Sequence, residues 1–317
     1  MNFRRLYNRG CCVMQWSIGF SRGNIEQIIR DKNCALSFKW TPLTDSIKSI
    51  ADPFIFKDAG GNINLVYEDF SMIDTSKYGK IVMAAVDNEF NTTGNKEILD
   101  TKSHCSYPFV FVENDKTYII PETSHQCKVS GYEYDFENKC LINERIIIND
   151  LPLLDSTIVK YNSKYWLFAS LSGNGIDPGR LNIYYADSLF GTYQPHANNP
   201  VNMNVDGSRP AGNVIQVDGE LYRPAQNCGQ HYGESITINK ITKLSENEFS
   251  EKFHFRIKPD KSSEFNSGVH TINVVDDIIV IDGIKMIFKP LTKWMLFFKK
   301  RNKKINIPLE DNHEPAI

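Results

Sequence analysis

A unit that recurs five times along this chain constrains its fold more than any other feature of the sequence. The five copies are ADPFIFKDAGGNINLVYEDF from Ala51, SYPFVFVENDKTYIIPET from Ser106, LDSTIVKYNSKYWLFASL from Leu154, SRPAGNVIQVDGELYRPAQ from Ser208 and GVHTINVVDDIIVIDG from Gly268. Each opens near a polar residue, runs through an apolar stretch, turns on Asp, Asn, Gly or Lys, and returns through a second apolar stretch. With Asp52, Tyr107, Asp155, Arg209 and His270 as equivalent positions, the spacings are 55, 48, 54 and 61 residues. A hairpin repeated at that period specifies a four-stranded propeller blade, and five such units close a ring. The hairpins have a local cause. AGGN at 59–62, ENDK at 113–116, YNSK at 161–164, VDGE at 217–220 and VDD at 275–277 set turn-forming residues between β-rich runs. GKIVMAAV at 79–86, VSGYEYDF at 129–136 and LNIYYADS at 181–188 read as outer strands. The sequence therefore predicts an all-β, five-bladed β-propeller over 51–283. Residues 1–50 are expected to complete the ring through QWSIGF at 15–20, and 284–317 to form a basic amphipathic tail.

Length alone, at 317 residues, admits one domain or two, and the repeat chooses one. Hydrophobic residues at 41% and aromatics at 12% supply a large core. The 36 basic and 38 acidic side chains nearly cancel, which removes the electrostatic reason to expect nucleic acid as a partner. Seven cysteines, at 11, 12, 34, 105, 127, 140 and 228, form no CxxC pair and leave one over, which suits free thiols in a reducing compartment. Met1 to Trp16 carries Arg4, Arg5 and Arg9 but no uninterrupted apolar core of a signal peptide, so a cytoplasmic location is expected.

No run of about 18 apolar residues is present to span a bilayer. From Ile284 to Lys304, however, the chain reads IKMIFKPLTKWMLFFKKRNKK. A short apolar segment laced with lysines and closed by a basic cluster can lie in a membrane interface. Peripheral contact through residues 285–304, at the inner face of the membrane, is one expectation for it. A terminal helix packed on the domain is the other.

In a propeller the first strand of each blade lines the central channel, so equivalent positions converge near one end of the axis. Asp52, Tyr107, Asp155, Arg209 and His270 form the first expected ring, with Glu68, Asp69, Glu122, Arg223 and Gln226 at the ends of the returning strands. Burying so many charges costs several kcal/mol unless they are paired, so they serve either an ion network across the channel or a ligand. Carboxylates accept from vicinal hydroxyls, aromatics cover sugar faces, and Arg or His meets an anionic group. The expected ligand is a saccharide, including a phosphorylated or acidic one.

The same motifs carry a family resemblance. ADPFIF, SYPFVF with IIPET, LLDST, WLFAS, LNIYYADSLFGTY with HANNPV, SRPAGN, LYRPAQN with YGESI, and GVHTIN resemble, in order, the N-terminal domain of plant glucosamine inositolphosphorylceramide transferases. The resemblance covers residues 50 to 283, and similar bacterial domains occur among genes for surface polysaccharides. That domain is in turn similar to the five-bladed propellers of glycoside hydrolase families 43, 32 and 68. The family 43 pattern implies a general base at Asp52, an orienting carboxylate at Asp155, and a general acid that this sequence does not offer at the matching place, where Ser208-Arg209-Pro210 stands. Glu122 and His270 are the candidates for that acid. Tyr107, Arg209, Arg223, Gln226, Glu68 and Asp69 are the candidates for substrate binding.

Three functions follow. Glycosyl transfer in surface-polysaccharide or glycolipid synthesis is the first, with a nucleotide sugar or lipid-linked sugar as ligand and other glycan-assembly enzymes as partners. Inverting hydrolysis, which needs two carboxyls about 6.5–9.5 Å apart, is the second. A noncatalytic glycan-binding module is the third. No cofactor is expected. An axial divalent cation, as in some related hydrolases, is compatible with the fold, but no clustered Asp motif asks for one.

Overall fold

The computed structural model describes residues 11–43, 45, 48–71, 78–171 and 179–295. Five four-stranded antiparallel sheets make up the ring. Blade one runs through Lys48–Lys57, Ile63–Ser71, Lys80–Val86 and Thr92–Leu99. Blade two follows with Ser106–Glu113, Lys116–Glu122, Lys128–Asp135 and Cys140–Asn149. Blade three holds Leu153–Tyr161, Lys164–Leu171, Leu181–Ala186 and Gln194–Pro195. Blade four holds Ile215–Val217, Glu220–Asn227, Ser235–Leu244 and Phe249–Ile257.

Blade five is built from both ends of the chain. Ile272–Val275 and Ile278–Phe288 supply its two inner strands, Cys12–Arg22 the third and Lys39–Trp40 the outermost. The N-terminal strand pairs antiparallel with Ile278–Phe288 from Cys12 opposite Phe288 to Arg22 opposite Ile278. A continuous ladder of this length ties the first described residues to the last blade, so the ring has no open seam there. The segment QWSIGF lies inside that strand. Between it and Lys39–Trp40 sits a helix, Ile25–Asp31, capped by Asn24 Oδ1, which accepts from Gln27 N at 3.0 Å. Ile28 and Ile29 of this helix pack onto the cluster shared by blades four and five.

The inner hairpins turn where the sequence supplies residues that tolerate positive φ. Asn114 and Asp115, Asn162 and Ser163, and Asp218 and Gly219 each adopt it as a consecutive pair, the geometry that matches a two-residue turn to the strand twist. Between blades the strands bury apolar faces against one another. Phe54, Phe109, Ile119, Ile120 and Leu167 fill the contact of blades one to three, and Ile18, Phe20, Leu65 and Val280 join blade five to blade one. Truncating any one of these costs about 2–5 kcal/mol.

Candidate functional site

Three blades open with the same irregularity. The ladder between the first and second strands slips after Ala51, after Ser106 and after Leu154, and the bulged residues Asp52, Tyr107 and Asp155 have φ of 51°, 40° and 52°. A bulge re-aims its side chain away from the strand's normal alternation, and three at equivalent positions aim three side chains at one point on the axis. Positive φ at residues other than glycine costs about 1–3 kcal/mol each and persists only when the surroundings hold it. Here the surroundings are one another. Asp52 Oδ2 accepts from Tyr107 N at 3.2 Å, and the Tyr107 hydroxyl shares 2.8 Å with Thr157 Oγ1 and accepts from Gly212 N at 2.7 Å. Gly212 stands at φ 122°, a conformation that glycine alone adopts freely, which lets its N–H reach across the axis.

The second strands supply a matching ring. Glu68 pairs in register with Ala51, Glu122 with Ser106 and Ser170 with Leu154, while Gln226 and Asp282 hold the same level in blades four and five. Two linked groups result. In the first, Asp282 is fully buried and gathers four contacts: Oδ1 accepts from His270 N at 2.9 Å and Thr271 N at 3.0 Å, while Oδ2 accepts from Asp52 N at 3.0 Å and lies 2.5 Å from His270 Nδ1. His270 Nε2 then lies 3.6 Å from Asp52 Oδ1, which also accepts from Thr271 Oγ1 at 2.8 Å. The order Asp282, His270, Asp52 is a carboxylate–imidazole–carboxylate relay. In the second group Arg209 grips Asp155 through Nε and through Nη2 at 3.2 Å, lies 3.7 Å from Glu122, and shares Asp155 with Gln226 Nε2 at 2.9 Å.

Burial decides the protonation of these groups. It pushes Asp52 up to about 6, partly offset by His270, with Asp155 and Asp282 adding to the rise. Burial, then the charge of Asp155, pushes Glu122 up to about 8. Ser124 donates to Glu122 Oε1 at 2.9 Å, and Oε2 accepts no hydrogen bond among the described residues, which fits a carboxyl that keeps its proton. Glu68 rises well above the carboxylate range through burial, then Asp52 and Glu122. Burial alone would lower His270, but the charges of Asp282 and Asp52 outweigh it and raise the imidazole.

A pocket of about 360 Å³ opens over the first group. Asp52, Glu68, Arg209 and His270 face it, with Trp16, Tyr232, His104 and Tyr78 on its walls. Trp16 stacks on His270 with centroids 4.1 Å apart, and Tyr232 meets that imidazole edge-on at 5.3 Å. His104 Nδ1 lies 3.7 Å from Glu68 Oε1.

The remaining expected residues fall elsewhere. Tyr107 has no exposure and acts as a strut beneath the pocket through the contacts above, so its ring does not meet a ligand. Asp155, Glu122 and Gln226 sit behind Arg209, outside the pocket lining, and position that guanidinium. Glu122 is therefore displaced from the expected place of a pocket acid. Asp69 turns away and pairs with Lys48 at 2.8 Å. Arg223 also leaves the cluster: its guanidinium is clamped by Glu251 at 2.9 and 2.7 Å and by the carbonyls of Gly207 and Ser208. Both corrections follow from strand alternation, since Asp69 adjoins Glu68 and Arg223 is three residues from Gln226, which sends each pair to opposite faces. Asp282, Thr271, Trp16, Tyr232 and His104 belong to the site without having been singled out. Asp282 was within reach, because the fifth repeat ends in IDG at the level of Glu68 and Glu122.

Asp52, His270 and Asp282 also bring ligand atoms within 4.8 Å of one another. Each carboxylate oxygen of this trio already accepts from an N–H or O–H or faces His270, so an ion held there would compete with these contacts.

Known proteins extend this picture. Residues 37–275 match the family described as glucosamine inositolphosphorylceramide transferase 1, N-terminal. The protein named glucosamine inositolphosphorylceramide transferase 1 from Arabidopsis thaliana is 35% identical over 208 residues, 64% of this chain and 26% of the relative. Its namesake from Oryza sativa subsp. japonica is 31% identical over 206 residues, 64% of this chain and 27% of the relative. The chain thus spans about a quarter of the length of these curated relatives. Among solved structures, a GH43 β-1,3-galactosidase superposes with a TM-score of 0.55 at 14% identity, over 79% of this chain and 59% of the other. An exo-β-1,3-galactanase from Clostridium thermocellum does so with a TM-score of 0.54 at 14% identity, over 76% and 57%. At such identities the likeness is one of fold, that of the GH43 five-bladed propeller. By the match over 37–275, the chain belongs to the family of the N-terminal domain of glucosamine inositolphosphorylceramide transferase 1.

Proposed function

We propose that the axial pocket binds a glycosyl unit and that the protein transfers it in the assembly of a glycolipid or surface polysaccharide. The observation that carries this reading is Asp52, facing the pocket with its carboxyl braced by Tyr107 N and Thr271 Oγ1 and backed by the His270–Asp282 pair. With its proton affinity set at about 6, Asp52 is ionised at neutral pH yet basic enough to accept a proton. An acceptor hydroxyl directed at it gives up its proton to the Asp52 carboxylate as its oxygen bonds to the anomeric carbon. The bond from that carbon to the leaving group breaks and the electron pair departs with the leaving group. His270 holds the base in place and Asp282 holds His270.

Arg209 presents a cation at the pocket wall, suited to a phosphate leaving group such as that of a nucleotide sugar or lipid-linked sugar. Tyr232, 38% exposed on the pocket wall, offers an aromatic ring to the sugar, and Trp16 backs His270 behind it. The plant relatives' name, glucosamine inositolphosphorylceramide transferase 1, joins a sugar, a lipid and a transferase, which supports the same reaction class here.

A specific observation favours a second reading, hydrolysis. Glu68 lines the same pocket and burial raises its proton affinity, which suits it to protonate a leaving oxygen while Asp52 activates water. The test is a thermal-shift and mass-spectrometric screen against nucleotide sugars, sugar phosphates and neutral oligosaccharides. A ligand at 100-fold excess over its Kd adds about 2.7 kcal/mol of stability. Stabilisation by nucleotide or lipid-phosphate sugars, lost in Arg209→Ala, supports transfer. Cleavage of neutral glycans supports hydrolysis, and stabilisation by none of them contradicts a sugar site.

A further inference from the structure

A second cavity opens on the flank of the ring, between blades four and five. About 670 Å³ in volume and larger than the axial pocket, it lies between Ile257, where the outer strand of blade four ends, and the segment that leads into Lys39–Trp40 of blade five, bounded by the chain from 258 to 269. Leu36, Phe38 and Trp40 line it half-buried, and Phe265 backs Trp40 with ring centroids 4.7 Å apart. Polar groups sit among these rings: Ser37, Lys258, Asp260 and Glu264 share the lining, and Trp40 Nε1 donates to Ser263 Oγ at 2.8 Å. An alkyl chain would desolvate those polar groups and return no hydrogen bond, whereas a flat heteroaromatic ring covers aromatic side chains with its faces and hydrogen-bonds through its edge.

Lys258 and Pro259 also line a neighbouring cavity of about 460 Å³, so the two meet at these residues and form one cleft. In that second part Arg256, Lys258, Lys261 and His231 stand with one acid, Glu234. The carboxylates around the cleft are already engaged: Glu264 with Lys285 at 2.8 Å, Asp206 with Arg256 at 2.7 Å, Asp260 with Ser262 N and Oγ at 2.8 and 2.7 Å, and Glu234 with Gln230 N at 2.9 Å. Lys258 has no ion pair or hydrogen bond among the described residues, and Lys261 meets only the Asn266 carbonyl, at 3.0 Å. Two positive charges are thus left beside the aromatic cavity, complementary to an anion such as a diphosphate. His231 faces this basic part and Tyr232, the next residue, faces the axial pocket, so one loop separates the cleft from the axial pocket.

We infer that the cleft between blades four and five binds a nucleoside diphosphate, its base against Phe38 and Trp40 and its phosphates at Lys258 and Lys261. The glycosyl donor of the axial pocket is then a nucleotide sugar rather than a lipid-linked one, held across the loop at Tyr232. That identification of the donor rests on the glycosyl reading of the pocket, whereas the nucleotide site does not.

The experiment is isothermal titration of the full chain with UDP, GDP and ADP, with inorganic pyrophosphate and decyl phosphate as comparison probes, in the wild type and in Phe38→Ala, Lys258→Glu and Arg209→Ala. The expected result is that a nucleoside diphosphate binds about tenfold or more tightly than pyrophosphate, and that its affinity falls about tenfold or more in Phe38→Ala and in Lys258→Glu while Arg209→Ala keeps it. An unchanged melting temperature shows that a variant folds, and either cleft variant alone suffices for the test. No binding of any of the three nucleotides, or affinity unchanged in the cleft variants, overturns the inference. Binding that Arg209→Ala loses and Lys258→Glu keeps overturns it too and moves the nucleotide to the axial pocket. Pyrophosphate or decyl phosphate binding as tightly as the nucleotides also overturns it, and assigns the cleft to a bare anion or to a lipid. Nucleotide binding at the cleft by a protein that transfers no sugar leaves the site standing and removes the glycosyl reading instead.

Discussion

Asp52 combines three features that rarely coincide in one side chain: a bulged backbone at positive φ, nearly complete burial, and an imidazole 3.6 Å away. Asp52→Asn keeps the size and removes the base. The expected outcome is a fall in turnover of about a hundredfold or more with sugar binding retained. The wild-type rate should rise as pH passes about 6, where Asp52 loses its proton. A pH profile that is flat there would assign the base elsewhere. Glu122 makes a stability prediction. Its folded affinity for a proton, raised to about 8 from 4.5, exceeds that of the unfolded chain, so the native state is favoured at low pH and loses that advantage as pH rises toward 8. Asp52 and Glu68 act in the same direction. Glu122→Gln should therefore flatten the decline of melting temperature between about pH 5 and pH 8. Equal slopes in variant and wild type would mean that Glu122 is ionised in the fold. At this scale the sequence was legible by position and less so by direction. The repeat located the five converging residues, but it could not show that Tyr107 turns down as a strut, because a bulge sets its direction, or that Glu122 retires behind Arg209, because that contact joins different blades.

Among the elements, the strand Cys12–Arg22 does most to explain why the site exists. It seals blade five and delivers Trp16 onto His270, a residue 254 positions away in sequence. QWSIGF reads as a strand from its composition, yet nothing local announces that Trp16 becomes pocket wall, since the contact is made only when the ring closes. Tyr232 is equally hidden, in a loop that the repeat does not include. The short helix Ile25–Asp31 carried no repeat signal and is stabilised by its Asn24 cap and two buried isoleucines. If closure holds the ring together, Ile18→Ala, which opens a void at a fully buried position, should cost about 2–5 kcal/mol in denaturant unfolding, as much as Leu167→Ala in blade three. A loss below about 0.5 kcal/mol, the range of surface substitutions, would show the closing strand to be an accessory.

For the whole molecule, five hairpins of one pattern turn an otherwise ordinary set of strands into a device that concentrates charge. Rings of residues from first and second strands meet at one end of the axis, where burial shifts Asp52, Glu68 and Glu122 upward together. The fold was legible because the repeat period and the turn residues point to the same architecture. The reaction was not, because the ring of polar residues serves transfer, hydrolysis and binding alike, and Ser208-Arg209-Pro210 offers no carboxylic acid where the family 43 resemblance implies one. The most direct test of glycosyl transfer at this pocket is to incubate the purified chain with nucleotide sugars and membrane lipids and to follow glycosylated lipid by mass spectrometry, beside Asp52→Asn. Glycosyl transfer at Asp52 predicts a new glycosyl–lipid product made by the wild type and lost in Asp52→Asn. A product formed equally by both proteins would contradict it.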